Sequence, residues 1–201
     1  MSIAAWLMAL GWFDEPAIPQ NPRPPAMPPK PVPAIGLREP KIVQMPSPNC
    51  HAGGPGRKIE LVVLHCTEGS YDGSIRWLRD GDRPNRTSAH YVVAKDGRVA
   101  QLVQDQDVAW HAGFGTWRGR GNINTRSIGI EIENKNDGKD PYPAIQLETV
   151  MWLTARTCKA NGLKSDDVVG HAQVDPERKT DPRLFPWSPF LASLKQHLEV
   201  A

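Results

Sequence analysis

From residue 59 onward, apolar residues fall into short runs that alternate between strand-like and helix-like spacing. Residues 59–66 (IELVVLHC) are apolar on both faces, the pattern of a buried strand. Residues 74–80 (SIRWLRD) read as a short helix. Two runs, 90–95 and 98–103, flank Asp96-Gly97, a strong two-residue hairpin signal. Residues 127–133 (SIGIEIE) alternate apolar and polar, as a half-buried strand should. Residues 145–160 carry apolar positions at helical spacing and stop before Asn161-Gly162, a C-cap pair. Residues 168–171 form a short strand or its exit. Residues 188–200 read as a final amphipathic helix, with Ser188-Pro189 as its cap and first turn. No internal repeat is present. The order predicts an α/β domain, a mixed central β-sheet flanked by helices.

The first 57 residues follow a different pattern. They hold thirteen of the twenty prolines, concentrated in PAIPQNPRPPAMPPKPVPAIG, which can sustain neither a helix nor an inner strand. This stretch reads as an extended linker, and the folded domain is expected to begin near Lys58, after HAGGPGR. Residues 3–13 (IAAWLMALGWF) are apolar but too short to span a bilayer. No basic residue precedes them, acids follow at Asp14 and Glu15, and no small-x-small cleavage site is evident. The expectation is a short helix that docks on a protein partner or on its own domain.

Charge narrows the partners little. Residues 58–201 hold nineteen basic and nineteen acidic side chains, and the net charge of +2 gives no case for a nucleic-acid surface. The three cysteines, Cys50, Cys66 and Cys158, have no regular spacing, so no disulfide framework is expected and a reducing compartment fits better. Cys66 follows a candidate ligand on a strand and points to the opposite face, which suits a core thiol.

Chemistry concentrates in residues 170–182 (GHAQVDPERKTDP), where His171, Lys179 and Asp181 fall within eleven residues of a proline-punctuated loop. Imidazole and carboxylate suit zinc, and the third ligand of a catalytic site normally comes from elsewhere in the chain. His65, at the end of the most apolar strand, is the natural candidate. Two histidines and one aspartate leave a fourth tetrahedral position for water. Spacing alone does not decide it, because a histidine after a strand is often structural and an aspartate before proline is often a turn residue.

Five motifs in order strengthen it: VVLHCT ending around His65, SAHYVVAKDG at 88–97, AWHAG at 109–113, SIGIEIEN at 127–134 and GHAQVDPERKTDP at 170–182. Together they resemble the N-acetylmuramoyl-L-alanine amidase family of zinc enzymes, which includes cytosolic recycling amidases, phage endolysins and peptidoglycan recognition proteins. The resemblance covers nearly all of residues 58–190 and none of 1–57. It implies that His65, His171 and Asp181 hold zinc, with Asp181 where many endolysins carry cysteine. It implies that Glu131 is the general base, although on an alternating strand Glu131 and Glu133 share a face and spacing cannot choose between them. It implies that Lys179 stabilises the oxyanion. Ala89 stands where endolysins often have an assisting tyrosine, so that version of the chemistry is not transferred. His90 reads as structural, and His111 is expected in the substrate groove. Trp110, Trp117, Arg178 and Arg126 are weaker candidates for contacts to sugar or stem peptide.

The function expected from the resemblance is zinc-dependent hydrolysis of the amide between N-acetylmuramic acid and L-alanine. The proline-rich leader suits a spacer before a lytic head that acts on the bacterial cell wall. The alternatives are a cytosolic recycling amidase that takes soluble anhydro-muropeptides, and a non-catalytic peptidoglycan-binding protein.

Overall fold

The computed structural model describes residues 34–200, so the apolar segment 3–13 and most of the proline-rich stretch lie outside the described residues. Six strands form the main sheet. In chain order these are β1 (Ile42–Gln44), β3 (Leu61–Cys66), β4 (Tyr91–Val93), β5 (Val99–Gln101), β7 (Ser127–Ile132) and β8 (Val168–Gly170), in the spatial order β1-β5-β4-β7-β3-β8. Only β4 and β5 run antiparallel, joined through the Asp96-Gly97 turn, where Gly97 takes a left-handed φ of 83°. The other pairs are parallel, so the sheet is mixed, as the sequence pattern predicts. A second, two-stranded antiparallel sheet pairs β2 (Cys50–Ala52) with β6 (Asp107–Ala109).

The long helices are α1 (Tyr71–Arg79), α2 (Ala144–Asn161) and α4 (Trp187–Glu199); α3 (His171–Val174) is a single turn. Ser70 caps α1, its hydroxyl accepting from the Gly73 N–H at 3.3 Å. Gly162, left-handed at φ 65°, ends α2 as the Asn-Gly pair predicts. The last helix begins at Trp187, after Pro186, rather than being capped by Ser188. Among the described residues, no helix is long and apolar enough to cross a membrane.

Strand alternation sorts the core into two faces. Val62, Leu64, Tyr91, Val93, Ile128, Ile130 and Ile132 pack with Val150, Leu153, Phe190 and Leu194 of α2 and α4. On the opposite face, Ile75 and Leu78 of α1 cover Val92, and Leu61 and Val63 meet Ala112 and Val174. Cys66 is a buried thiol whose Sγ lies 3.1 Å from the Tyr142 hydroxyl, and burial pushes its pKa up to about 12. All three cysteines are free.

The folded part starts before Lys58. Residues 42–44 add β1 as a parallel edge strand, Asn49 is fully buried, and the Ile35 N–H donates to Ser193 Oγ at 2.9 Å. Proline content suggests linker here, but Pro40 and Pro46 merely flank an edge strand, where a missing N–H is tolerated.

Candidate metal centre and catalytic cleft

The parallel pairing of β3 with β7 sets His65 directly opposite Glu131. Both side chains leave the sheet on the face away from α2 and α4. Beside β3, β8 runs into the turn of α3, which delivers His171. The loop that follows returns Asp181 to the same point, with the Ala172 N–H donating to the Asp181 carbonyl at 2.8 Å. Gly170 permits this closeness: a Cβ there would sit 2.9 Å from both Pro182 Cδ and Trp187 Cζ2.

One ligand atom from each of His65, His171 and Asp181 lies within 4.8 Å of the others, and all three residues are buried. Asp181 Oδ2 is 3.2 Å from His171 Nδ1, 3.6 Å from His65 Nδ1 and 3.3 Å from the Cys66 N–H that donates to it. Burial opposes ionisation of Asp181, but its hydrogen bond with His171 and the closeness of the His65 ring outweigh that and hold its carboxyl well below the usual range. Burial, reinforced by His171, lowers the His65 pKa to about 4, so its imidazole is neutral, the form that binds a metal. His171 Nε2 and Glu131 Oε2 are buried without a hydrogen-bond partner. Two imidazoles, one carboxylate and orphaned polar atoms beside them fit a divalent cation such as zinc.

The cluster forms the floor of an open cavity of about 660 Å³, which Glu131, Lys179, His111, Glu68 and Trp77 also line. Burial and the nearby Asp181 carboxylate raise the Glu131 pKa to about 8 in the metal-free protein, with Lys179 opposing them. Its sequence rival Glu133 is occupied elsewhere, its two oxygens accepting from the Tyr71 and Lys95 N–H groups at 2.9 Å each. Lys179 is exposed at the cavity edge.

The weaker candidates behave differently. His111 borders the cavity, yet both ring nitrogens are engaged at 3.0 Å, Nδ1 with His65 and Nε2 with Ser127, so neither is free for a substrate. Burial, then the neighbouring histidines, push its pKa well down. The Trp110 indole donates to His51 at 2.9 Å, and Arg178 pairs with Asp175; neither lines the cavity. Arg126 is buried against Glu60 and the Trp117 carbonyl, on a different surface. His90 is structural: it accepts from the Gly129 N–H through Nδ1 and reaches the Asp107 carbonyl through Nε2, and burial lowers its pKa to about 3.

Two residues at the site carry no signal in the sequence. Asn136 binds Glu68 and Thr180 at once, at 3.1 and 3.0 Å, and Ser127 contacts His111 from the start of β7. Only contacts distant in sequence reveal them.

Comparison with known proteins agrees with this geometry. The N-acetylmuramoyl-L-alanine amidase family model, Amidase_2, matches residues 55–184. The N-acetylmuramoyl-L-alanine amidase AmiD of Escherichia coli K12 is 35% identical over 145 residues, covering 65% of this chain and 51% of AmiD. The 1,6-anhydro-N-acetylmuramyl-L-alanine amidase AmpD of Haemophilus influenzae is 38% identical over 112 residues, covering 55% of this chain and 60% of AmpD. The chain thus spans between half and two thirds of these relatives. Among solved structures, E. coli AmiD in complex with anhydro-N-acetylmuramic acid-L-Ala-D-gamma-Glu-L-Lys superposes with a TM-score of 0.62 at 32% identity, over 70% of this chain and 60% of that one. A selenomethionine AmpD derivative gives 0.66 at 28% identity, over 81% and 98%.

Proposed function

The chain belongs to the N-acetylmuramoyl-L-alanine amidase family, and from that premise we propose that it hydrolyses the amide between N-acetylmuramic acid and L-alanine, with zinc held by His65, His171 and Asp181. The observation that carries this reading is the buried His-His-Asp cluster on the floor of an open cleft, with Glu131 and Lys179 on its walls.

The chemistry that zinc supplies in such a donor set is Lewis acidity towards an amide carbonyl and towards water. The protein's own groups do the rest. Glu131 takes the proton from the attacking water and returns it to the departing alanine nitrogen. Its half-buried position opposite His65, with Oε2 shielded from solvent, brings that carboxylate to the reacting bond with little of a bulk-water shell. The Lys179 ammonium at the cavity edge meets the negative charge that develops on the carbonyl oxygen.

Two substrate forms fit. The proline-rich stretch before the domain suits a spacer for a lytic head that works on polymeric wall. A soluble anhydro-muropeptide is favoured by the relatives, since AmpD is named for such a substrate and AmiD was solved with one. The test offers the full chain intact sacculi and soluble anhydro-muropeptide side by side. Release of free stem peptide that a chelator abolishes and zinc restores is the expected result. Full turnover by metal-free protein, or binding without release of stem peptide, overturns the proposal. Preference for the soluble fragment selects the recycling form over the lytic one.

A further inference from the structure

We infer that His111 and Ser127 are positioning residues: a one-way hydrogen-bond relay from His65 through them to the Ile123 carbonyl fixes the His65 tautomer that presents Nδ1 to the metal. This rests on the zinc reading above.

The direction of the relay follows from its far end. Ser127 Oγ lies 2.6 Å from the Ile123 carbonyl oxygen, which can only accept, so the hydroxyl proton points there. Ser127 Oγ must then accept from His111 Nε2, 3.0 Å away, which makes Nε2 the protonated nitrogen of that ring. A neutral His111 therefore turns an acceptor Nδ1 towards His65 Nε2 at 3.0 Å. His65 donates from Nε2 and keeps its lone pair on Nδ1, the atom 3.6 Å from Asp181 Oδ2. Two lone pairs then face one another across the cluster, an arrangement that a cation relieves.

The His111 ring is held for this task from several sides. The Asn124 side-chain oxygen accepts from the backbone N–H groups of His111 and Ala112, at 3.1 and 2.7 Å. Gly129 leaves the space the ring occupies: a Cβ there would lie 2.5–2.7 Å from three of its atoms. The His90 ring packs 5.8 Å away, centroid to centroid, with its own nitrogens engaged elsewhere. With His65 and Ser127 as the polar partners of its ring, His111 has no facing carboxylate to make it an imidazolium. Outer partners that orient a metal-binding imidazole commonly contribute about 10–100-fold in metal affinity.

The test uses the full chain and does not depend on turnover. Long-range ¹H–¹⁵N spectra of the metal-free wild-type protein should show His65 protonated at Nε2 and bare at Nδ1. Zinc affinity is then measured by competition with a chromophoric chelator. His111→Phe, which lacks the acceptor, should bind zinc about 10–100-fold more weakly. His111→Asn, whose amide oxygen can replace Nδ1 as acceptor, should stay within about threefold of wild type. Ser127→Ala should leave His65 as a mixture of tautomers. A wild-type His65 protonated at Nδ1, or undiminished zinc affinity in a folded His111→Phe protein, overturns the relay. If His111→Phe fails to fold, the wild-type tautomer and Ser127→Ala still decide. Normal zinc binding without amidase activity would count against the function and leave the relay standing.

Discussion

His65 and Glu131 are register partners on adjacent parallel strands, so the candidate ligand and the candidate base leave the sheet side by side. That pairing places Glu131 in the cavity beside the metal cluster without making it part of that cluster. Glu131→Gln keeps the shape and removes the proton acceptor. We expect kcat to fall by about 10²–10⁴ while zinc content stays near one per chain. Steady-state kinetics with metal analysis on the same preparation checks this. Loss of zinc together with activity would instead mean that Glu131 acts as a ligand.

The same carboxyl makes the metal-free protein sensitive to pH. Burial first, then Asp181, raise its pKa from 4.5 to about 8 in the folded state. Between those values the folded chain holds a proton that the unfolded chain has released, so stability falls as pH rises through the window. Glu131→Gln removes this loss. The Tm of the metal-free variant should match wild type near pH 4.5 and exceed it by roughly 10 °C at pH 8. Parallel Tm profiles for the two proteins would refute the assignment.

The β7 segment SIGIEIE shows how much of this was legible beforehand and where legibility ended. Its period of two reveals a strand with isoleucines on one face, and the structure turns Ile128, Ile130 and Ile132 into the core under α2 and α4. The opposite positions read simply as a polar face. In the fold that face is covered, and its members have separate tasks. Ser127 touches His111, Gly129 leaves room for that ring, Glu131 enters the cleft and Glu133 ties down two backbone N–H groups. Spacing gives the face of a side chain but not what folds over it, which is why spacing alone cannot separate Glu131 from Glu133 and the resemblance has to choose between them. His111, which the resemblance puts in the substrate groove, does border the cavity, but spacing gives no hint that its ring nitrogens bond to His65 and Ser127. The edge strand at 42–44 was hidden among prolines, because pairing with β5 is a contact 57 residues away.

Lys179 lies at the cavity edge, two residues before Asp181. Its charge should matter more to the transition state than to the bound substrate. Lys179→Ala is expected to lower kcat about 10²-fold with little change in KM, and Lys179→Arg to recover part of the loss. A rise in KM at constant kcat would reassign Lys179 to ground-state binding.

Asn136 holds the ligand loop from behind. Its side chain donates to Glu68 Oε1 and Thr180 Oγ1, and its oxygen accepts from the Arg183 N–H at 2.8 Å. Three segments thereby meet at one buried amide: the loop after β3, the loop after β7 and the chain on both sides of Asp181. Asn136 also adopts a left-handed φ of 55°, which asparagine tolerates better than most residues. Two substitutions separate these contributions. Asn136→Ala loses the bridges and adds backbone strain, and should destabilise the protein by about 1–3 kcal/mol. Asn136→Gly loses only the bridges, since glycine adopts this φ freely, so it should be less destabilised. Both variants should release zinc faster than wild type to a similar extent, because the loop carrying Asp181 is untethered in each. Thermal denaturation and chelator-chase kinetics on the pair check this; a glycine variant that holds zinc as tightly as wild type would show that the amide stabilises the fold without governing the metal loop.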